Sequence, residues 1–396
     1  MKACDRTPGQ RRETGAMRTE QFRWSARSGW EPHAPPGHLG ATAQLVLVFF
    51  NSGLAGQSSW YDAVRQAYPR AHLFGCSTSG QIQGTAVYQH SIVATAVAFE
   101  HTRVAVARFP LADPDGGYVA GQELARALDP EGLRHAFVIC NAVDANANDT
   151  TSGLISGLPS STQLFGGGAS NGHDMGRTYT ICDGTPEPKA IAVVGFYGER
   201  LKVGVGSSGG WDPLGLDRLI TKSTKNVLYE FDGRPALPLY KRYLGPAAAQ
   251  LPASGMLFPV SLRMGGCREG VLRGVLSVNE LDQSITFAGN VPEGCHARFL
   301  FGSAEHLIDG SLIAAQQACQ AIGPLSPQLL IVVSCVARQL VLKQRTAEEL
   351  ECFEEVFGFE PRAAGFYALG EVAPIEAQGC SGFHNETLTA AALVEV

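Results

Sequence analysis

A repeated pattern constrains this chain more than any other feature. Residues 45–50 (LVLVFF) run into Asn51, and residues 136–140 (AFVIC) run into Asn141. Each apolar run reads as a buried strand. A helical stretch follows each, at 59–68 before Pro69 and at 150–158 before Pro159. A second strand then enters a loop of small residues, at 73–80 (LFGCSTSG) and at 164–172 (LFGGGASNG). Two further strands close each copy, at 91–99 with 102–107 and at 190–197 with 201–206. We read these last two as a paired set. The copies lie about ninety residues apart, too far for a solenoid, so the pattern reads as a duplication.

A third copy is legible near the C-terminus. Residues 329–335 (LLIVVSC) match the opening strand, 364–371 (AGFYALGE) match the strand and loop, and 387–394 match a later strand. The helix between carries Glu348, Glu349, Glu351, Glu354 and Glu355, which reads as a solvated face. Between the copies, 271–278 and 284–288 read as strands and 311–322 as a helix. The fold class expected is α/β in the mixed α+β sense, with duplicated strand-helix-strand-strand-strand units forming an N-terminal and a C-terminal mixed-sheet domain. The divisions expected are a loose, Pro/Gly-rich arm over 1–40, one domain over 41–232, a bridge over 232–255 and a second domain over 250–394. Residues 1–16 read as unstructured, which makes Met17 a candidate start.

The chain has 396 residues, 45% apolar and 17% charged, with 46 glycines and a net charge of -6. That balance supports sizeable cores and excludes general disorder. No basic cluster marks the body of the chain, so nucleic acid is not an expected partner. No apolar run approaches the ~18 residues of a membrane helix, and no signal-type apolar stretch follows the early arginines. No membrane is expected as a partner either. Ten scattered cysteines without C-x-x-C spacing point to buried thiols in a reducing cytoplasm.

Several groups are candidates for chemistry. Gly204-x-Gly206-x-x-Gly209 has dinucleotide-site spacing, but Pro213 follows too soon for the required helix, so a turn is the better reading. The loop Cys76, Ser77, Thr78, Ser79, Gly80, together with Gly167 and Asn171, offers backbone donors for an anion or carboxylate. Cys76 as a nucleophile would need a base that the sequence does not place beside it. His384 opens the last strand beside the loop that holds Gly370 and Glu371. Arg338 follows a strand end, where it would clamp a carboxylate or pair with Glu371 or the acidic helix.

Taken in order, these fragments resemble the FIST family of bacterial sensory proteins, which carry an N-terminal and a C-terminal FIST domain. The matching stretches are FGCSTSGQI at 74–82, residues 165–172 and 205–222, VLYEFDGRPALPLYKRYL at 227–244, VSCVARQLVLKQRTAEELE at 333–351, GFYALGEVAP at 365–374 and FHNETL at 383–388. Ala337 and Lys343 stand where the family pattern has glycine. The resemblance implies a ligand sensor in signal transduction and not an enzyme. Within the family it points to the stand-alone nitric-oxide-sensing haemoproteins. That would imply haem b with His384 as axial metal ligand, Arg338 at a propionate, and a partner histidine kinase or cyclic-di-GMP signalling protein. Homo-oligomerisation stays open. The alternative is a haem-free sensor of an amino acid or similar small polar ligand, its carboxylate on the Cys76–Gly80 and Gly166–Gly172 loops and its amine at Glu371. A third reading is a hydrolase using Cys76.

Overall fold

The computed structural model describes residues 16–31, 37–172, 176–263, 270–358, 362–375 and 381–396. Its elements are mixed α+β, as the patterning predicts. The first unit holds β1 (Arg18–Ser25), β2 (Leu45–Phe50), α1 (Ser58–Ala67), β3 (His72–Ser77), β4 (Gln81–Gln83), β5 (Ala86–Tyr88) and β6 (Ser91–Ala98). The second holds β7 (Arg103–Pro110), α2 (Gly117–Ala127), β8 (Leu133–Cys140), α3 (Ala147–Gly157), β9 (Gln163–Gly168), β10 (Tyr179–Cys182), β11 (Glu187–Pro188) and β12 (Ala190–Tyr197). The third opens with β13 (Leu201–Ser208). An inserted sheet with α4 (Ala236–Leu244) comes next. The unit resumes with α5 (Ala304–Ile322), β14 (Leu329–Cys335), α6 (Val336–Leu342), α7 (Thr346–Phe357), β15 (Ala363–Ala368), β16 (Glu371–Pro374), β17 (Ser381–His384) and β18 (Leu388–Glu395).

The three units share one topology. In each, the two strands flanking the helix pair in parallel, and the last strand returns antiparallel beside the first of them: β2–β3 with β6, β8–β9 with β12, β14–β15 with β18. A valine on the first strand stands opposite a glycine on the second: Val48 with Gly75, Val138 with Gly166, Val332 with Gly365. A Cβ on these glycines would lie 1.8, 2.0 and 1.9 Å from the valine carbonyl oxygen, which no side chain tolerates.

Each unit also gives away a strand. β4 pairs with β15 of the third unit, β10 with β3 of the first, and β16 with β9 of the second. The inner faces of all three sheets therefore meet in one core. It includes Phe49, Phe74, Ile139, Phe165, Val333, Phe366 and Leu393. Phe49 and Phe366 lie 4.7 Å apart, Phe137 and Phe165 5.3 Å. The outer faces are covered by α1, by α2 and α3, and by α5 and α7. The insert has its own core around Tyr240, Phe231 and Phe299.

Four expectations need correction. Neither the strands at 91–99 and 102–107 nor those at 190–197 and 201–206 pair with each other. The Glu395 carboxylate accepts the N–H groups of Glu100, His101 and Thr102, and the chain crosses there into the second sheet. Residues 18–25, expected in a loose arm, form β1 and pair along all eight positions with β6, filling an otherwise open sheet edge. Residues 232–255, expected as a bridge, contain α4 and pack within the insert. Gly204 and Gly206, read as a turn, lie in β13, where a Cβ would sit 2.4 and 2.0 Å from backbone oxygens of α5. They let helix and strand touch.

Candidate functional site

The loops that follow β3, β9 and β15 converge. Ser79 N donates to Tyr367 O at 3.2 Å and to Ser170 Oγ at 2.8 Å. Ser77 Oγ donates to Ser170 O at 2.9 Å, and Ser170 Oγ to Tyr367 O at 2.6 Å. Thr78 N reaches Phe50 O, Ala169 N reaches Cys140 O, Ser170 N reaches Ser77 O and Gly168 N reaches Gly370 O. Tyr367 N donates to Gly80 O at 2.9 Å. These backbone donors, expected to cradle a carboxylate, are spent joining the units. Gly167 is packed tightly, since a Cβ there would lie 2.6 Å from Val333 and 2.9 Å from Gly370 O. Asn171 Oδ1 accepts from Ser52 Oγ. Cys76 is fully buried in the central core, and burial pushes its thiol well above the ordinary range.

Arg338 and Glu349 form a second buried cluster, both side chains fully buried. Arg338 Nε and Nη2 meet Glu349 Oε2 at 3.1 and 2.9 Å. Nη2 also reaches Ser311 Oγ at 2.6 Å and Leu307 O at 2.8 Å, and Nη1 reaches Gly209 O. Glu349 accepts further bonds from Ser334 and Tyr367. The acidic helix is thus not solvated on every side: Glu349 turns inward. Arg338 takes the ion-pair role with that helix and ties α5, α6 and α7 to the backbone at Gly209. The arrangement leaves Arg338 no place against a propionate.

A third cluster lies where β16, β17 and β18 meet the insert. Glu371 pairs on one side with Gly167 and on the other with His384. Directly opposed residues of antiparallel strands project to the same face. Glu371 Oε2 accepts from Thr387 N at 3.0 Å and Thr387 Oγ1 at 2.8 Å, while Oε1 has no partner. His384 Nε2, Asn385 Oδ1 and Glu386 Oε2 are buried and unpartnered as well. Burial raises Glu371 to about 8 against the Thr387 hydrogen bonds, and burial, with repulsion from Glu371, drives Glu386 well above the carboxylate range. His384 falls to about 4, through burial and then repulsion by Arg273, against a backbone hydrogen bond to Ala373. With Nε2 unpartnered, that bond uses Nδ1–H, so Nε2 presents a lone pair. Cys335 lies beside both acids, and burial again raises its thiol.

The insert closes over this cluster. Trp211 Nε1 donates to Glu386 O at 2.6 Å. A Cβ on Gly274 would lie 2.5 Å from Glu386 Oε1, so only glycine lets the insert come so near. Buried Arg273 donates to Asn290 O, Leu272 O, Phe383 O and Asn148 Oδ1 at 2.9–3.0 Å. It pins the insert to β17 and α3. Native proteins seldom leave buried polar atoms unpaired, and four in one place with shifted acids mark a functional candidate.

The sequence pointed to Glu371 and His384, and the fold brings them together. It missed Asn385 and Glu386, although both stand in the FHNET stretch, and it missed Arg273 and Glu349. An arginine inside an otherwise apolar strand was the available signal for Arg273. Among the described residues, no group of three or more His, Cys, Asp or Glu side chains is placed to hold a metal ion. No helix among them is long and apolar enough to cross a membrane. Cys76, Cys140, Cys182, Cys295, Cys335 and Cys352 are free thiols. Cys4, Cys267 and Cys380 lie outside the described residues.

The chain matches two family models along most of its length. Residues 44–234 match the FIST N domain and residues 236–374 the FIST C domain. The chain belongs to the FIST-domain proteins, whose domains sense small ligands in signalling. An uncharacterized protein of Methanocaldococcus jannaschii, MJ1623, is 26% identical over 196 residues. That match covers 46% of this chain and 36% of the relative, so the chain spans about a third of that protein's length. The crystal structure of a cyanuric acid hydrolase from A. caulinodans aligns over 96% of this chain and 99% of its own, with 9% identity and a TM-score of 0.35. A likeness that low bears on neither fold nor activity.

Proposed function

We propose that this protein is a haem-free sensor of a small polar ligand, with the ligand held by Glu371, His384, Asn385 and Glu386. One observation carries the reading: four buried polar atoms, on Glu371, His384, Asn385 and Glu386, have no hydrogen-bond partner. A ligand that supplies the missing hydrogen bonds removes that penalty and binds the folded state. The signal leaves through the insert, which rests on Glu386 through Trp211 and Gly274. Its receiver in this reading is a histidine kinase or a cyclic-di-GMP signalling protein. Thermal shift of the full chain against amino acids, amines, sugars and nucleosides tests it. A saturable stabilisation lost in Glu371→Gln supports the reading, and no such ligand across the panel counts against it.

Haem-based nitric oxide sensing is the second reading, favoured by the free Nε2 of His384. A neutral imidazole of this kind is an axial donor by chemistry. Its surroundings do not fit the group. Arg273 lies beside the ring and Glu371 stands opposite it across the hairpin, where a porphyrin needs an apolar face, and Arg338 is occupied by Glu349. An absorption spectrum of protein from haem-supplemented cells decides: a stoichiometric Soret band lost in His384→Ala would restore this reading.

A further inference from the structure

We infer that the ligand is a small organic cation, an amine without a carboxylate, seated with its N–H groups on Glu371 Oε1, His384 Nε2, Asn385 Oδ1 and Glu386 Oε2. The inference rests on the sensor reading above and names its ligand class.

Once Glu371 and Glu386 are ionised, every orphan atom of the cluster is an acceptor. A ligand must therefore be all donor where it touches them, and an ammonium is the compact group that is. Glu371 and Glu386 supply the charge by releasing to solvent, as the cation enters, the protons that burial otherwise holds on them, since the nearby arginines are taken. Arg338 is paired with Glu349, and Arg273 is held by three carbonyl oxygens and the Asn148 side chain. The same two facts argue against a carboxylate on the ligand. An amino acid needs a cation or a row of free N–H groups for its acid end. In the loops that would give such a row, the N–H groups of Thr78, Ala169, Ser170, Ser79 and Gly168 are spent on Phe50, Cys140, Ser77, Tyr367 and Gly370. A carboxylate would thus lie unpaired beside two acids.

The approach is from the edge of the second sheet. β17 is its terminal strand, and His384 keeps 8% exposure against 0–3% for Glu371, Asn385 and Glu386. An ammonium brings three hydrogens to four acceptors, so a second amine or a hydroxyl on the ligand completes the set.

Matched pairs that differ by one carboxylate test this: putrescine with ornithine, cadaverine with lysine, ethanolamine with serine. Titration calorimetry and melting of the full chain are read for each, in wild type, Glu371→Gln and Glu386→Gln. Both variants keep the side-chain shape, and either one that folds carries the test. The expected result is that at least one amine binds saturably, at least tenfold tighter than its parent amino acid, and weakens at least tenfold in a variant. If an amino acid binds as tightly as its amine, the amine inference is overturned while the sensor reading stands. The same holds if only neutral ligands bind in a Glu371-dependent way. If nothing in the wider panel binds at this cluster, both fail together.

Discussion

Glu371 and His384 stand directly opposite each other across the β16–β17 hairpin, and each carries a buried side-chain atom, Oε1 and Nε2, outside any hydrogen bond of ordinary geometry. One is an acid held protonated, the other a base held neutral. Their effects on stability have opposite signs. Folded Glu371 keeps its proton up to about pH 8, whereas an unfolded glutamate releases it near ~4.3. Between those values the folded state binds more protons, so stability falls as pH rises. Folded His384 takes its proton only below about 4, whereas an unfolded histidine does so below ~6.5. Between those values stability rises with pH.

The two slopes, each ~1.4 kcal/mol per pH unit, offset each other from about pH 4.5 to 6.5. Above that only the acids act, with Glu386 in the same direction as Glu371. The melting temperature should therefore decline between pH 6.5 and 8, and less steeply in Glu371→Gln. Melts across pH 4.5–8.5 check this. An unchanged slope in the variant would show that Glu371 titrates normally.

The Arg338–Glu349 pair holds three helices and the backbone at Gly209. Removing one partner leaves a buried charge. Arg338→Met and Glu349→Gln should each cost about 3–5 kcal/mol in denaturant unfolding. The double variant should cost less than the sum, because neither charge is then left alone. Additive costs would mean that the two residues act separately.

Lys343 ends α6 at φ 54° and ψ -110°, a conformation that costs a side-chain-bearing residue about 1–3 kcal/mol. Its side chain is exposed, so little packing is lost on truncation. Lys343→Gly should raise the urea midpoint, by about 1 kcal/mol after glycine's own entropic cost. Lys343→Ala should not, since alanine keeps the strain. Equal effects of the two would place the gain elsewhere.

Gly75 and Gly365 face valine carbonyl oxygens at distances that exclude a Cβ. Alanine at either position should push the parallel strands apart and lower stability by about 3 kcal/mol or more, or prevent folding. Alanine at Gly56, where a Cβ meets nothing within 4 Å, serves as the control and should change stability by less than about 1 kcal/mol. Purified yield and melting temperature report both.

Much of the fold was legible because it is local. Residues 45–50, 136–140 and 329–335 are too apolar and too short for anything but buried strands, and the helices after them end at Pro69, Pro159 and Gly358. The alignment of Gly75 with Gly166 and Gly365 holds in the registers of all three sheets. The exchange of β4, β10 and β16 between units was not legible, since a short strand carries no mark of which sheet will receive it. β1 was hidden for a related reason: its alternating RTEQFRWS is that of a half-covered strand next to the sheet edge.

The candidate site divides the same way. Sequence alone placed His384 beside the Glu371 loop and supplied Asn385 and Glu386 next in line, because neighbours in the chain stay neighbours in a hairpin. It could not decide which polar groups would find partners. Loop N–H groups that looked free are consumed by other units, Arg338 is consumed by a glutamate from α7, and Glu371 and Glu386 are left without a cation. Hydrogen bonding is settled pair by pair in three dimensions, and burial removes the water that would otherwise serve every group. The chemistry available was therefore written in the residue types, and the closing of the three sheets and the insert selected which of it remained unspent.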